Sequence, residues 1–359
     1  MAGMSSKRWL APWRDSVEKP AIYHCISRVV DRRFVFGDEE REKFRIFMRM
    51  QENFSGCRVL SYCVMSNHFH ILLEVPPMPV GGISDEELLK RLSAIYAEAY
   101  VAGVAKELAE AREAGWEKRV VEIHGRFTYR MHDLSEFMKT LLQRYTRWFN
   151  RTHERSGTLW EERYKSVIVE SGIAARTMAA YIDLNPVRAG MVADPAEYRW
   201  SSYGEAVGGG PKGNGKKARA GLVRACMSHH GAGFEAEKWK DVSRIYRQVL
   251  GMALGLKSGR AEVGPVPVVT KNTAEMLESN DNQTVLPDIR FAAMLRCRVR
   301  YFTDGAVIGS KVFVNEAFAL SRERFTPGRK DGARRMRGNG KPADGVLWSM
   351  RDLRVNISE

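Results

Sequence analysis

Cysteine is sparse in this chain, with five residues in 359 (Cys25, Cys57, Cys63, Cys226 and Cys297) and no C-x-x-C pair among them. An odd count without paired spacing argues against a disulfide framework or a zinc ribbon and fits a reducing cytosol. Long apolar runs are also missing. The opening MAGMSSKRWLAPWRDS carries no apolar targeting segment. No stretch reaches the roughly 20 apolar residues that cross a bilayer. The expectation is a cytoplasmic protein with no membrane partner. No Walker-type glycine loop is present, which excludes the usual ATP-driven route to phosphate chemistry, and no internal repeat is visible. Acidic residues are in deficit, 43 against 57 lysines and arginines, giving a net charge of +14. Such an excess suits a polyanionic partner, because every neutralised phosphate releases counterions. On charge alone, a basic protein without such a partner would look the same.

Against these absences stands a clear alternation of elements. Residues 21–30, AIYHCISRVV, read as a strand rich in β-branched and aromatic residues. EEREKFRIFMRMQENF follows with Phe44, Phe47, Met48 and Met50 near helical spacing. CRVLSYCVM (57–65) and HFHILLEV (68–75) are two more strands, joined by a short polar break. Strand, helix and two strands make the first half of a ferredoxin-like α+β sandwich, an antiparallel sheet covered by helices. Residues 76–132 look inserted, with Ser84-Asp85-Glu86-Glu87 capping an Ala/Glu/Leu-rich helix. A helix from Asp133 stacks Phe137, Leu141, Tyr145, Trp148 and Phe149, a strand follows at 165–170, and a short helix over 172–185 stops at Pro186.

The expected organisation is an α+β domain over 18–205, a Gly/Lys-rich linker over 206–220 and a mainly helical C-terminal region over 221–359. Helical patterns fall at about 233–252 and 288–302. DIRFAAMLRCRVRYF, a short T-D-G-A break and IGSKVFVNEAFALSRERF read as two helices, an outline that fits a helix-turn-helix or any αα-hairpin. A basic tail follows, in which Arg334 and Arg335 belong to a flexible phosphate-binding arm.

The sharpest chemical signal is His68-Phe69-His70. Residues two apart on a strand share a face, so both imidazoles project together while Phe69 turns to the apolar side. Two neutral imidazoles supply part of a divalent metal's shell. Surface histidines at this spacing also arise by chance. Further along, Thr177, Tyr181 and Asn185 share one side of the short helix. A tyrosine there is either a half-buried packing residue or a nucleophile. Tyr145 is the rival nucleophile, but it sits on the apolar stripe of its own helix, and packing accounts for it.

Taken in order, these segments resemble a known family. Y-H-C-I-S-R-V-V-D-R-R-x-V-F-x-D, H-F-H after S-N, R-Y-T-R-W-F-N, S-G-T-L-W-E-E-R-Y-K-S, Y-I-D-L-N-P-V-R-A-G and Y-R-W-S-S-Y are similar to the REP-associated (IS200-like) Y1 tyrosine transposases of the HUH endonuclease superfamily. The resemblance covers about residues 18–205 and is interrupted by the insertion. It implies that His68 and His70 bind Mg²⁺ or Mn²⁺, with Asn185 as the third protein ligand. Tyr181 would be the nucleophile that forms a 5′-phosphotyrosine link, and the partner would be single-stranded or hairpin DNA of the REP type. The protein would act as a monomer or homodimer.

Cations interleaved with aromatic residues mark the expected DNA path, since cations grip phosphates and aromatic faces stack unpaired bases. The residues singled out are Arg28, Arg144, Arg147, Trp148, Arg151, Arg163 and Lys165, together with Arg334 and Arg335 of the tail. Two other functions compete. One is a catalytically idle, domesticated nucleic-acid-binding protein on the same scaffold, which would have no need of His68, His70, Tyr181 and Asn185. The other is a relaxase or rolling-circle initiator, which commonly carries a third histidine or paired tyrosines, neither evident in these motifs.

Overall fold

A computed structural model of the chain describes residues 8–208, 215–227, 238–254, 295, 300–336 and 347–350. Its strands are β1 (Ala21–Arg28), β2 (Arg58–Val64), β3 (His68–Val75), β4 (Lys165–Val169), β5 (Val307–Gly309), β6 (Arg334–Arg335) and β7 (Trp348–Ser349). The first half of the chain contributes helices α1 (Asp38–Ser55), α2 (Asp85–Leu92), α3 (Glu98–Glu113), α4 (Glu117–Thr128) and α5 (Leu134–Thr152). After β4 come α6 (Ile173–Asp183), α7 (Asn185–Arg188), α8 (Ser202–Gly208), α9 (Gly215–Cys226), α10 (Trp239–Leu254), α11 (Arg300–Asp304) and α12 (Lys311–Ala319).

One sheet organises these elements, in the order β2-β3-β1-β4-β5-β7-β6. The first four strands pair antiparallel throughout. With α1 between β1 and β2 and α5 between β3 and β4, they form the ferredoxin-like core expected from the sequence.

Strand periodicity sorts the core into two layers. Tyr23 and Cys25 of β1, with Phe69, Ile71 and Leu73 of β3, face a cluster that includes Phe44 and Met48 of α1 and Phe137, Leu141, Tyr145 and Phe149 of α5. Phe44 and Phe69 meet with ring centres 4.6 Å apart; burying each such ring stabilises the fold by about 1.5–3 kcal/mol. The intervening residues Ile22 and Leu72 face the other way, toward Met178 and Ile182 of α6, Leu222 of α9 and Tyr246 of α10. The sheet thus separates an α1/α5 side from an α6/α9/α10 side.

The 76–132 insertion is helical, as its composition implied. The Ser84 hydroxyl accepts the Glu87 amide at 3.1 Å and caps α2. Leu88, Leu92, Leu108 and Ile123 form a small core of their own that meets the main body at Phe54 of α1.

The region beyond residue 205 departs from expectation in three places. Residues 206–208 end α8 and 215–220 begin α9, so the described parts of the 206–220 stretch are helix rather than linker. A Cβ on Gly221 would lie 2.4 Å from the Val59 carbonyl oxygen, so the missing side chain lets α9 lie close on β2. Secondly, the C-terminal region extends the sheet, with β5 parallel to β4 and β7 bridging β5 to β6. Residues 307–309 are strand β5, although 308–309 were placed above at the start of a second helix, and Ser310 then caps α12. The strand that intervenes between α11 and α12 removes the helix-turn-helix outline, although most of 288–299 lies outside the described residues. Finally, Arg334 and Arg335 form β6 against β7 and are not part of a loose arm; residues 337–346 lie outside the described residues. No helix among the described residues is long and apolar enough to cross a membrane.

Candidate active site

The register of β1 against β3 sets the site. Arg28 pairs with His68, Ile26 with His70 and His24 with Leu72. Opposed residues share a face, so His24, Ile26 and Arg28 accompany His68 and His70 on the α6 side of the sheet. Phe69 points into the opposite core, as its alternation required.

On that face a cleft of about 750 Å³ is lined by His68, His70, Tyr181 and Asn185. The Tyr181 ring lies edge-on to His70, with centres 6.2 Å apart. Tyr181 is only 2% exposed, so only a group that enters the cleft could reach it. Arg28, Arg32, Arg163, Lys165, Arg188 and Arg300 bring six cationic side chains to the walls, against the three acids Glu161, Glu162 and Asp304. Lys165 pairs with Asp304 at 3.2 Å.

Hydrogen bonds fix the imidazoles. His68 Nδ1 is 2.7 Å from Asn67 Oδ1, and the Asn67 amide is itself oriented, because its Nδ2 donates to the Arg32 carbonyl at 2.9 Å. That carbonyl is presented by a strained turn in which Asp31 and Arg32 have φ of 57° and 56°, a backbone cost that tends to persist at functional sites. With Oδ1 as the acceptor, His68 donates from Nδ1, and a neutral ring then carries its lone pair on Nε2. His70 Nδ1 is 2.9 Å from His24 Nε2. Burial holds His24 down at a pKa of about 4 and pushes His70 well below its ordinary value, with the neighbouring His24 and His68 adding to the shift. Both rings are therefore neutral near pH 7, the form in which imidazole binds a metal.

Asn185 begins the short α7, two residues after α6 ends at Asp183. Proline at the second position of α7 suits a helix start, where its missing N–H costs nothing. The Asn185 Nδ2 donates to the Ile182 carbonyl at 3.1 Å, which leaves Oδ1 as the atom that could bind a metal. Two imidazole nitrogens and an amide oxygen are a neutral donor set suited to a divalent cation that also binds phosphate and water. Among the described residues no cluster of three or more His, Cys, Asp or Glu side chains could hold a metal, so substrate and solvent would have to complete the shell.

Some of the expected DNA-contacting residues gather here and others do not. Arg28, Arg163 and Lys165 line the cleft. Arg144, Arg147, Trp148 and Arg151 belong to α5, whose apolar stripe packs on the opposite side of the sheet. Arg144 donates to the Ile95 carbonyl of the insertion at 3.0 Å. Trp148 packs edge-on against Phe47, with ring centres 6.5 Å apart. Arg334 and Arg335 lie at the far edge of the sheet, five strands from β3. None of these six lines the cleft. Tyr145 is buried in the α1/α5 core and its hydroxyl donates to the Glu40 carbonyl, in line with a packing role.

Two residues escaped the motif reading. Arg188, quoted only as part of V-R-A-G, lies with its guanidinium 4.1 Å from the centre of the Tyr181 ring. His24 stands two residues before Ile26 on the site face and is fully buried. Its parity with Arg28 on β1 was the one available signal.

Two imidazoles, an amide and a tyrosine in a cationic cleft form a side-chain set capable of metal-assisted phosphoryl transfer. Residues 18–119, which include both histidines, match the family described as "Transposase IS200 like". The resemblance read from the motifs therefore holds over this part of the chain. The solved structure described as "Structure of the REP associates tyrosine transposase bound to a REP hairpin" aligns at a TM-score of 0.35 and 11% identity, covering 56% of this chain and 83% of that one. No curated protein matches.

Proposed function

We propose that this chain is a transposase of the single-strand-cutting type: a metal-dependent DNA endonuclease and strand transferase that works through a 5′-phosphotyrosine. The observation that carries the reading is the convergence of His68, His70, Tyr181 and Asn185, distant in sequence, on one cleft with cationic walls. In the cleavage step the Tyr181 oxygen bonds to phosphorus, the bond from phosphorus to the 3′-oxygen breaks, and the phenol's proton ends on the freed 3′-hydroxyl. Because the phosphotyrosine ester conserves the bond energy, a 3′-hydroxyl of another strand reverses the step without ATP.

Mg²⁺ or Mn²⁺ held by His68, His70 and Asn185 would polarise the scissile phosphate and offset charge as it builds. Arg188 stabilises negative charge on the phenol oxygen. Arg28, Arg163 and Lys165 guide the strand across the mouth of the cleft. Hairpins of the REP type, the partner implied by the motif resemblance, are the substrates of choice.

The test is covalent trapping. Incubated with a labelled single-stranded hairpin and Mn²⁺, the protein should form an adduct carrying the DNA's 5′-phosphate. Tyr181→Phe should abolish it, whereas Tyr145→Phe should keep it. An adduct that survives Tyr181→Phe would reject the assignment.

A further inference from the structure

We propose that His24 is the positioning residue that sets the tautomer of His70, anchored in turn by the backbone carbonyl of Phe302. The inference rests on the metal-site reading above and adds to it a residue that holds the ligand rather than binding the metal.

The argument is a chain of donors with one possible direction. A carbonyl oxygen only accepts, so His24 Nδ1, 2.8 Å from the Phe302 oxygen, must carry a proton. In a neutral ring His24 Nε2 is then an acceptor. His70 Nδ1 lies 2.9 Å from it and has to donate. That consigns the His70 lone pair to Nε2, the nitrogen on the side of the ring away from His24. Neither partner can reverse its role while Phe302 stays in place.

Geometry favours the arrangement over a merely tolerated core histidine. His24 opposes Leu72, so it is the diagonal neighbour of His70 across the β1–β3 pair, within reach of long side chains. The two rings lie edge to edge and nearly coplanar, with centres 5.1 Å apart and planes at 16°, which puts the hydrogen bond between them close to the plane of both. His24 is fully buried, and both its nitrogens are engaged, which bars it from serving as a third ligand. Phe302 belongs to α11 of the C-terminal region, and its ring meets Tyr181 edge-on with centres 4.9 Å apart. One residue of the extension thus touches both the nucleophile and the support of a metal ligand.

Two substitutions separate the roles. In His24→Asn the side chain reaches only as far as Nδ1 does, keeps the Phe302 contact and loses His70. In His24→Gln the side chain extends to where Nε2 lies and can still accept from His70. Long-range ¹H–¹⁵N correlation spectra of the metal-free, histidine-labelled protein near pH 7 should show His70 as the Nδ1–H tautomer in the wild type and in His24→Gln. His24→Asn should shift it toward Nε2–H. Mn²⁺ affinity, read by electron paramagnetic resonance, should drop about 10- to 100-fold in His24→Asn, the usual effect of removing a ligand's hydrogen-bond partner. His24→Gln should stay close to wild type.

A wild-type His70 found as Nε2–H overturns the proposal without any variant being made. So does a folded His24→Asn protein that retains both tautomer and affinity. If His68→Ala binds Mn²⁺ as tightly as wild type, the metal-site reading fails, while the tautomer spectra still decide what His24 does.

Discussion

The Arg188 guanidinium sits over the Tyr181 ring at 4.1 Å and donates to that residue's own carbonyl at 2.7 Å and to the Leu295 carbonyl at 2.7 Å. Three contacts hold a positive charge beside the proposed nucleophile. A partly desolvated cation over an aromatic ring contributes up to about 2 kcal/mol, and about 1.4 kcal/mol of barrier is a tenfold change in rate. Arg188→Met should therefore slow single-turnover adduct formation about 10- to 30-fold. Arg188→Lys keeps the charge but not the planar fork, and should lose less. Equal rates in all three proteins would show that Arg188 only braces the helix.

Metal dependence should divide cleavage from binding. One cation acts on one phosphate, whereas affinity for the strand is spread over several cationic contacts. Chelation, His68→Ala or His70→Ala should each abolish the adduct. Hairpin affinity, followed by fluorescence anisotropy, should change no more than a few-fold. Cleavage that persists in both alanine variants with chelator present would remove the metal from the mechanism.

How much of this was legible beforehand follows from the range of each signal. The β2-β3-β1-β4 core could be read because alternation along β1 and β3 is a local property of eight-residue strands. The same period places His68 and His70 on one face, and helical spacing pairs Tyr181 with Asn185. His24 was opaque because its partners His70 and Phe302 are 46 and 278 residues away, and a histidine among Ile22, Tyr23 and Cys25 looks like any core position. Strands β5, β6 and β7 have two or three residues each, too few to show any period. The side on which α5 presents its cations was in principle readable. Its stripe of Phe137, Leu141, Tyr145 and Phe149 packs with Phe69, and Phe69 points away from the two histidines.

That division between the faces makes a prediction about DNA. Arg28, Arg163 and Lys165 line the cleft, and Arg147 and Arg151 project from the surface of α5 across the sheet. Each lost phosphate contact should lower the slope of log affinity against log salt by about 0.7 for single-stranded DNA. The triple variant Arg28→Ala, Arg163→Ala, Lys165→Ala should therefore flatten the slope by about 2. Arg147→Ala with Arg151→Ala should leave it within error. A larger effect from the α5 pair would place the strand on the other face of the sheet.

The last prediction concerns pH and the residue between the proposed nucleophile and the proposed metal ligand. Asp183 lies two positions after Tyr181, roughly 200° around the helix, and is fully buried. Its Oδ1 accepts the Tyr203 amide at 2.9 Å, and its Oδ2 accepts the Tyr246 hydroxyl. Burial raises its pKa from 3.8 to about 7, outweighing the hydrogen bonds from Tyr246 and Tyr203 that favour the charged form. In the unfolded chain the carboxyl loses its proton near pH 4, whereas in the folded protein it keeps it to about pH 7. Across that window the folded state binds the extra proton, so rising pH costs stability, up to a few kcal/mol for a shift of about three pH units. His24, held down near 4, acts with the opposite sign: stability is lost as pH falls from about 6.5 toward 4. Measuring the wild type against Asp183→Asn cancels that contribution, because both proteins contain His24. The neutral asparagine costs hydrogen-bonding geometry equally at every pH. Its disadvantage should be greatest near pH 4 and should shrink, or reverse, by pH 8. Urea midpoints at pH 4, 5.5, 7 and 8 would read the change, and a gap that stays constant across the series would mean that Asp183 is ionised in the folded core.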